Sequence, residues 1–231
     1  MINYKIFNSI YDDLILFPSR IVFWGGTGQA KVMRYVVEYY GSEIIFVVDR
    51  TIGLKPPFDD VPLILDSEFD ECINRISHDN LGFCITIGNP NGQVRVDLHK
   101  LLVGIGLLPT SLIHPTAWIA PNAKIGKGAQ IHAGTIIEAE TVLGDQCIIN
   151  TKASVDHECV LGNGVELAPG ATLCGNVTVD DNAWVCAGAT VLPRIHIGKN
   201  SVVGAGAVVI RDVPDNVTVI GVPAKLMIKS V

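Results

Sequence analysis

Every sixth residue from Ile113 to Val209 is aliphatic, seventeen positions without a break. Four residues after most of them stands a small side chain, as at Ala117, Ala123, Ala129, Cys147, Ala153 and Cys159. A period of six suits neither an α-helix nor a simple strand. It is the mark of a hexapeptide solenoid, in which each repeat forms one flat side of a prism. Three sides close a coil of eighteen residues, so residues eighteen apart stack at about 4.8 Å, the spacing between strands. The seventeen repeats amount to nearly six coils, a prism about 27 Å long at that rise.

The prism accounts for an unusual composition. Of the 231 residues 48% are hydrophobic and 17% charged, because a long narrow core is filled by repeated Ile, Val and Leu. The net charge of −6 argues against a basic nucleic-acid-binding surface. No apolar run reaches the roughly 20 residues of a membrane span. Asp12 and Asp13 interrupt the N-terminal segment, which lacks a small-residue cleavage site and so does not read as a signal peptide. A cytoplasmic location is the simplest expectation. The six cysteines contain no CxxC pair, so no metal site is expected. Cys147 and Cys159 fall on small interior positions, where a reduced thiol packs as a small hydrophobe.

The first half has another rhythm. The runs 20–24 (RIVFW), 43–48 (EIIFVV), 62–65 and 82–87 (GFCITI) read as strands, and 29–40, 67–76 and 90–103 as helices. Strands alternating with helices predict a small parallel α/β sheet, a Rossmann-like half with too few strands for the full doubly wound form. The seam falls near residue 111, giving an α/β domain over 1–110 and the repeat domain over 111–231. Residues 1–18 carry no assignable role. In such a sheet ligands sit beyond the C-terminal strand ends. Gly25, Thr27 and Gly28 end the first strand and open a helix, a position suited to phosphate, and Asp49 ends the second strand, where a carboxylate meets a ribose hydroxyl. Three readings stand for this loop: a nucleotide or nucleotide-sugar site, a structural tight turn, or a dinucleotide redox site. The last is weakened by Lys31 in place of the third glycine and by the lack of a hydride-transfer domain.

On the prism, functional residues must point outward. His157 lies two places after the inward Val155, and its column neighbours are Ala139 and Gly175. A histidine flanked by two small residues is exposed, and Gly175 allows close approach to its backbone N–H, as an oxyanion donor requires. Glu158 follows and is placed to orient the imidazole. Asn150 shares a separate column with His114, His132 and Ala168. His114 and His132 read as structural, and His78, His99 and His196 as solvated or turn residues. A neutral imidazole takes up a proton near pH 7, as acyl transfer to an amine or hydroxyl demands.

The motifs GGTGQAK, LIHPTA, NTKASVDHE and GVPAK, in this order, resemble the bacterial sugar acyltransferases of the sialic-acid O-acetyltransferase type, close to the N-acetyltransferases of UDP- or GDP-linked 4-amino sugars. The resemblance covers about 20–231. It implies an α/β Rossmann-like half domain followed by an all-β left-handed parallel β-helix, a homotrimer, and active sites between subunits. It further implies acetyl-CoA as co-substrate, with the nucleotide-activated amino sugar against the α/β domain. Carried over by position, His157 is the general base and Glu158 its partner. Asn150 lies near the reacting centre, and the Gly175 N–H faces the thioester carbonyl. Gly175, Ala187, Ala205 and Lys225 border CoA, while Gly25, Thr27, Gly28 and Asp49 hold the nucleotide. Two departures stand out: Gln29 and Glu166 occupy positions where many members have histidine, so Glu166 is expected to shape the acceptor side. The expected reaction is direct acetyl transfer to a sugar amine. Transfer to a sugar hydroxyl and a non-catalytic sugar-binding scaffold are its rivals.

Overall fold

The computed structural model describes residues 17–88 and 90–227. Of the leading segment 1–18, residues 1–16 lie outside the described residues, as does Asn89. The α/β part is a five-stranded parallel sheet in the order β3-β2-β1-β4-β5. Its strands are β1 (Arg20–Trp24), β2 (Glu43–Asp49), β3 (Leu63–Leu65), β4 (Leu81–Ile85) and β5 (Leu108–Pro109), joined through helices α1 (Gly28–Tyr39), α2 (Phe69–Ile73) and α3 (Gly92–Gly104). Alternation along β1 sends Ile21 and Phe23 into the layer beneath α1 and Val22 into the opposite layer with Phe69, Phe83 and Leu102. The strand order reverses beside β1, which opens a crevice at the ends of β1 and β4. The helix expected from residue 67 is shorter, because a 3-10 turn (Asp66–Glu68) uses its first residues. The helix expected from Pro90 starts at Gly92.

From Leu112–Ile113 to Val208–Val209, seventeen two-residue strands build a left-handed parallel β-helix with three faces. The first face starts at Leu112–Ile113, the second at Trp118–Ile119 and the third at Lys124–Ile125. Strands pair with those eighteen residues on, Ile137 with Val155 and Val155 with Leu173. The aliphatic member of each pair points inward, and from Ile131 to Val209 none of these side chains is more than a few per cent exposed. From Gly128 to Gly206 every sixth residue turns a corner with left-handed backbone, among them Gly134 and Lys152 at the first corner, Glu158 and Asn176 at the second, and Gly164 and Asn182 at the third. Asp and Asn recur at the third corner because each accepts a backbone N–H from the coil before: Lys127 to Asp145 (2.7 Å), Asp145 to Asn163 (2.9 Å) and Asn163 to Asp181 (2.7 Å). After Val209 the step shortens to sixteen residues, with Ile197 meeting Val213 and Val203 meeting Val219. The chain then folds back, and Lys225–Leu226 pairs antiparallel with Thr218–Ile220.

The α/β part covers the start of the first face. Gln130, Ile148 and Glu166 point outward from that face yet are at most 8% exposed. Arg95 of α3, fully buried, ties the two parts together. Its guanidinium donates to the carbonyls of Ile87 (3.1 Å), Gln146 (3.2 Å) and Gly164 (2.7 Å) and faces Glu166 Oε2 at 3.6 Å. Arg95 falls on the same helical stripe as Leu98 and Leu102, where an apolar residue would be expected. Replacing Arg95 with Ala removes the donors of three carbonyls and the cation beside a buried carboxylate. It should lower unfolding free energy by about 3–5 kcal/mol, read from the urea midpoint; a loss within 1 kcal/mol, about the worth of one ordinary hydrogen bond, would contradict this role.

Candidate active site

The second corner is built so that one histidine stands out from it. Asp156 Oδ1 accepts the His157 backbone N–H at 2.8 Å, and Glu158 takes the left-handed turn with φ 59°. The strand ladder pins both neighbours: Glu158 N–H donates to Ala139 and Asn176 N–H to the His157 carbonyl. The imidazole is exposed, and its Nδ1 lies 3.0 Å from Glu158 Oε2. A carboxylate only accepts, so Nδ1 carries the hydrogen and Nε2 keeps a lone pair. That nitrogen sits over Gly175, where an added Cβ would come within 2.4 Å of it. Glycine is therefore required here for the ring's own position, and Gly175 itself is buried, unlike the open approach expected from the sequence. Among the described residues the Gly175 N–H meets no acceptor. An imidazole lone pair and an unpaired N–H thus adjoin at this corner, the imidazole exposed and Gly175 buried beneath it.

The other expected residues lie elsewhere. Asn150, Ala187 and Ala205 stand at the first corner, across the second face from His157, and Lys225 is exposed on the final strand. One chain does not bring them together with His157. Glu166, expected on the acceptor side, is buried beside α3, and its Oε1 accepts from Asn150 Nδ2 at 3.2 Å. It reaches the corner through Asn150. The six cysteines are unpaired, and burial pushes the Cys147 thiol up to about 12 and that of Cys159 up to about 11. Among the described residues no three His, Cys, Asp or Glu side chains converge as metal ligands, and no helix is long and apolar enough to cross a membrane.

In the glycine loop, Gly25 has φ +117° and packs so tightly on Thr86 that a Cβ would lie 2.5 Å from its carbonyl oxygen. Thr27 caps α1 and Gly28 begins it, so the free N–H groups of the first turn face the crevice. Asp49 accepts from Gly26 N–H (2.7 Å) and Thr51 N–H (2.9 Å). Burial pushes its carboxyl up, but these bonds outweigh it and hold it below its ordinary value. Its first task is to shape the loop that precedes α1.

Sequence reasoning missed a buried relay behind this loop. Gln29 Nε2 lies 2.9 Å from both Gln130 Oε1 and His132 Nε2, and Gln130 Nε2 donates to the Ile85 carbonyl at 2.8 Å. His132 is 2% exposed. It lines a cleft of about 490 Å³ with Lys31, Val32, Tyr35, Ala133 and Thr151, between α1 and the first corner. The visible signal was Gln29 itself, a departure within an otherwise matching loop.

The bacterial transferase hexapeptide family (six repeats) matches residues 176–211. The chain is similar to PerB of Caulobacter crescentus, a structure that contains CoA and GDP-perosamine: identity is 34% over 90% of this chain and 96% of that one, with a TM-score of 0.80. It is also similar to the acetyltransferase domain of PglB from Neisseria gonorrhoeae, at 30% identity, 90% and 100% coverage and a TM-score of 0.81. WeeI of Acinetobacter baumannii shows 28% identity, 90% and 99% coverage and a TM-score of 0.80.

His132 makes the fold sensitive to acid. Burial, with His114 adding to it, pushes its pKa from 6.5 down to about 4. Between these values the unfolded chain binds a proton that the folded protein refuses. Stability contributed by the neutral ring is therefore complete above pH 6.5 and is lost as pH falls toward 4, by about 3 kcal/mol over the span. Denaturant titrations from pH 7 to 4.5 should show this slope, and His132→Asn should flatten it. An equally steep slope in the variant would assign the acid sensitivity elsewhere.

Proposed function

The chain belongs to the hexapeptide-repeat sugar acyltransferases, CoA-dependent enzymes close to the amino-sugar N-acetyltransferases, and we propose that it transfers an acetyl group from acetyl-CoA to the 4-amino group of a nucleotide-linked amino-deoxy sugar. The observation that carries this reading is the second corner: His157 Nε2 left basic by Glu158, over Gly175 and its free N–H. His157 takes a proton from the amine as the nitrogen attacks the thioester carbonyl. The Gly175 N–H stabilises the oxyanion. The tetrahedral intermediate then collapses, the C–S bond breaks, and CoA departs as the thiol after its sulfur takes the proton that His157 had removed from the amine.

The similar protein from C. crescentus is a GDP-perosamine N-acetyltransferase crystallised with CoA and GDP-perosamine, which supports both substrates here. The nucleotide lies against Gly25, Thr27, Gly28 and Asp49, where helix N–H groups meet phosphate. A homotrimer supplies the missing half of the site. Packing one prism against the next sets the His157 corner of one subunit against the first corner of another, with its Asn150, Ala187 and Ala205. Lys225 meets a CoA phosphate as a point charge. Both substrates and the six unpaired cysteines suit a reducing cytoplasm.

Thiol release from acetyl-CoA with a panel of UDP-, GDP- and dTDP-linked amino sugars tests the reading. Turnover with hydroxyl acceptors alone would replace it by O-acetylation, and CoA binding without any turnover by a scaffold role. His157→Ala should lower kcat at least 100-fold with the KM for acetyl-CoA little changed. Lys225→Ala should raise that KM several-fold with kcat retained. Wild-type turnover in the first variant, or an unchanged KM in the second, would remove that residue from the site.

A further inference from the structure

The relay behind the glycine loop has a direction, and the direction can be deduced. A backbone carbonyl only accepts hydrogen bonds, so Ile85 O takes its hydrogen from Gln130 Nε2. Gln130 must then turn Oε1 toward Gln29, and Gln29 must answer with Nε2. The second hydrogen of that same amide points at His132 Nε2. His132 Nε2 is therefore an acceptor, and the ring's one proton sits on Nδ1. Among the described residues Nδ1 has no partner. The ring is almost wholly buried and borders the cleft beside α1.

A second relay ends one coil further on. Arg95 only donates and faces Glu166 Oε2, while Glu166 Oε1 accepts from Asn150 Nδ2. With one amide hydrogen committed to the carboxylate, the Asn150 amide is held with Oδ1 turned away from Glu166. The His132 N–H donates to the Ile149 carbonyl, so the two residues are stacked neighbours on the first corner, about 4.8 Å apart along the prism. Thr151, next to Asn150, lines the same cleft.

We propose that this corner reads the acceptor sugar: His132, polarised by Gln29, offers a donor from Nδ1, and Asn150, polarised by Glu166, offers an acceptor one coil away. The pair fits a ligand segment carrying a hydrogen-bond acceptor beside a donor, the pattern of a sugar hydroxyl or ring oxygen next to an amine. Asn150 takes the amine hydrogen and His132 binds the neighbouring oxygen. Gln29 and Glu166 are positioning residues that set the polarity of the two that touch substrate. A histidine at position 166 donates or accepts according to its tautomer, whereas the carboxylate present here leaves Asn150 one orientation. The inference rests on the amino-sugar reading above for the identity of the ligand. The polarity itself rests on the relays alone.

Nitrogen-15 NMR of histidine-labelled wild-type protein should show His132 with a protonated Nδ1 and a bare Nε2 throughout pH 5.5–8. A protonated Nε2 would overturn the proposal. Gln29→Met removes the donor to Nε2 and should release the tautomer. It should also raise the KM for the amino sugar about ten-fold, the worth of one good hydrogen bond, leaving the KM for acetyl-CoA unchanged. Gln29→Glu, which accepts instead of donating, should draw the proton to Nε2 and raise the sugar KM as well. An unchanged sugar KM in both variants would overturn the proposal. Should wild type turn over no amino sugar at all, the functional reading falls, and the sugar as ligand with it; the NMR measurement still decides whether the corner presents a donor.

Discussion

The eighteen-residue register is the constraint on which everything else in this protein depends. Each coil passes its backbone hydrogens to the next, as when His132 N–H meets the Ile149 carbonyl and Ile136 N–H meets that of Ala153. The ladder holds only if inward positions stay aliphatic and every corner accepts a left-handed residue. An inserted residue would turn interior side chains outward. Chemistry is thereby confined to outward positions and corners, where columns have a fixed pitch. His157 owes its place over Gly175 to that pitch, with no flexible loop involved. A rigid scaffold of this kind supports a reacting group held in position before substrate arrives.

The junction between the sheet and the prism obeys a second rule: polar groups taken from water must find partners. Arg95 satisfies three carbonyls contributed by both parts, and Gln130 satisfies Ile85. These contacts do more than hold the parts together. Because carbonyls only accept and guanidinium only donates, each anchored chain of contacts dictates the orientation of its last member. The interface thus transmits a choice of donor or acceptor to the first corner.

The prism was legible because its period is repeated seventeen times and cannot be confused with helix or simple strand. The columns also placed His157 beside Gly175 and kept Asn150 apart, as the structure has them. What the columns missed lies where two rhythms meet. Gln130 and Glu166 occupy outward positions that a prism alone would leave in water, and only the docked α/β part buries them. His132 read as a structural residue, and its partner Gln29 is some hundred positions away in sequence. Periodicity describes each part against itself, so contacts between parts were invisible to it. The last coil was also hidden, since its sixteen-residue step breaks the count after Val209.

That altered last coil has a consequence for solubility. A parallel ladder ends in a row of unsatisfied backbone groups, and an open end of this kind recruits further strands, from a neighbour or from another copy. The antiparallel return of Lys225–Leu226 over Thr218–Ile220 reverses the hydrogen-bonding pattern at the edge of the first face. A second prism arriving end-on would find the wrong polarity there, with a lysine in its path. The return therefore caps the edge of the first face, one of the three at which a structure periodic along its axis would otherwise be open to a further strand.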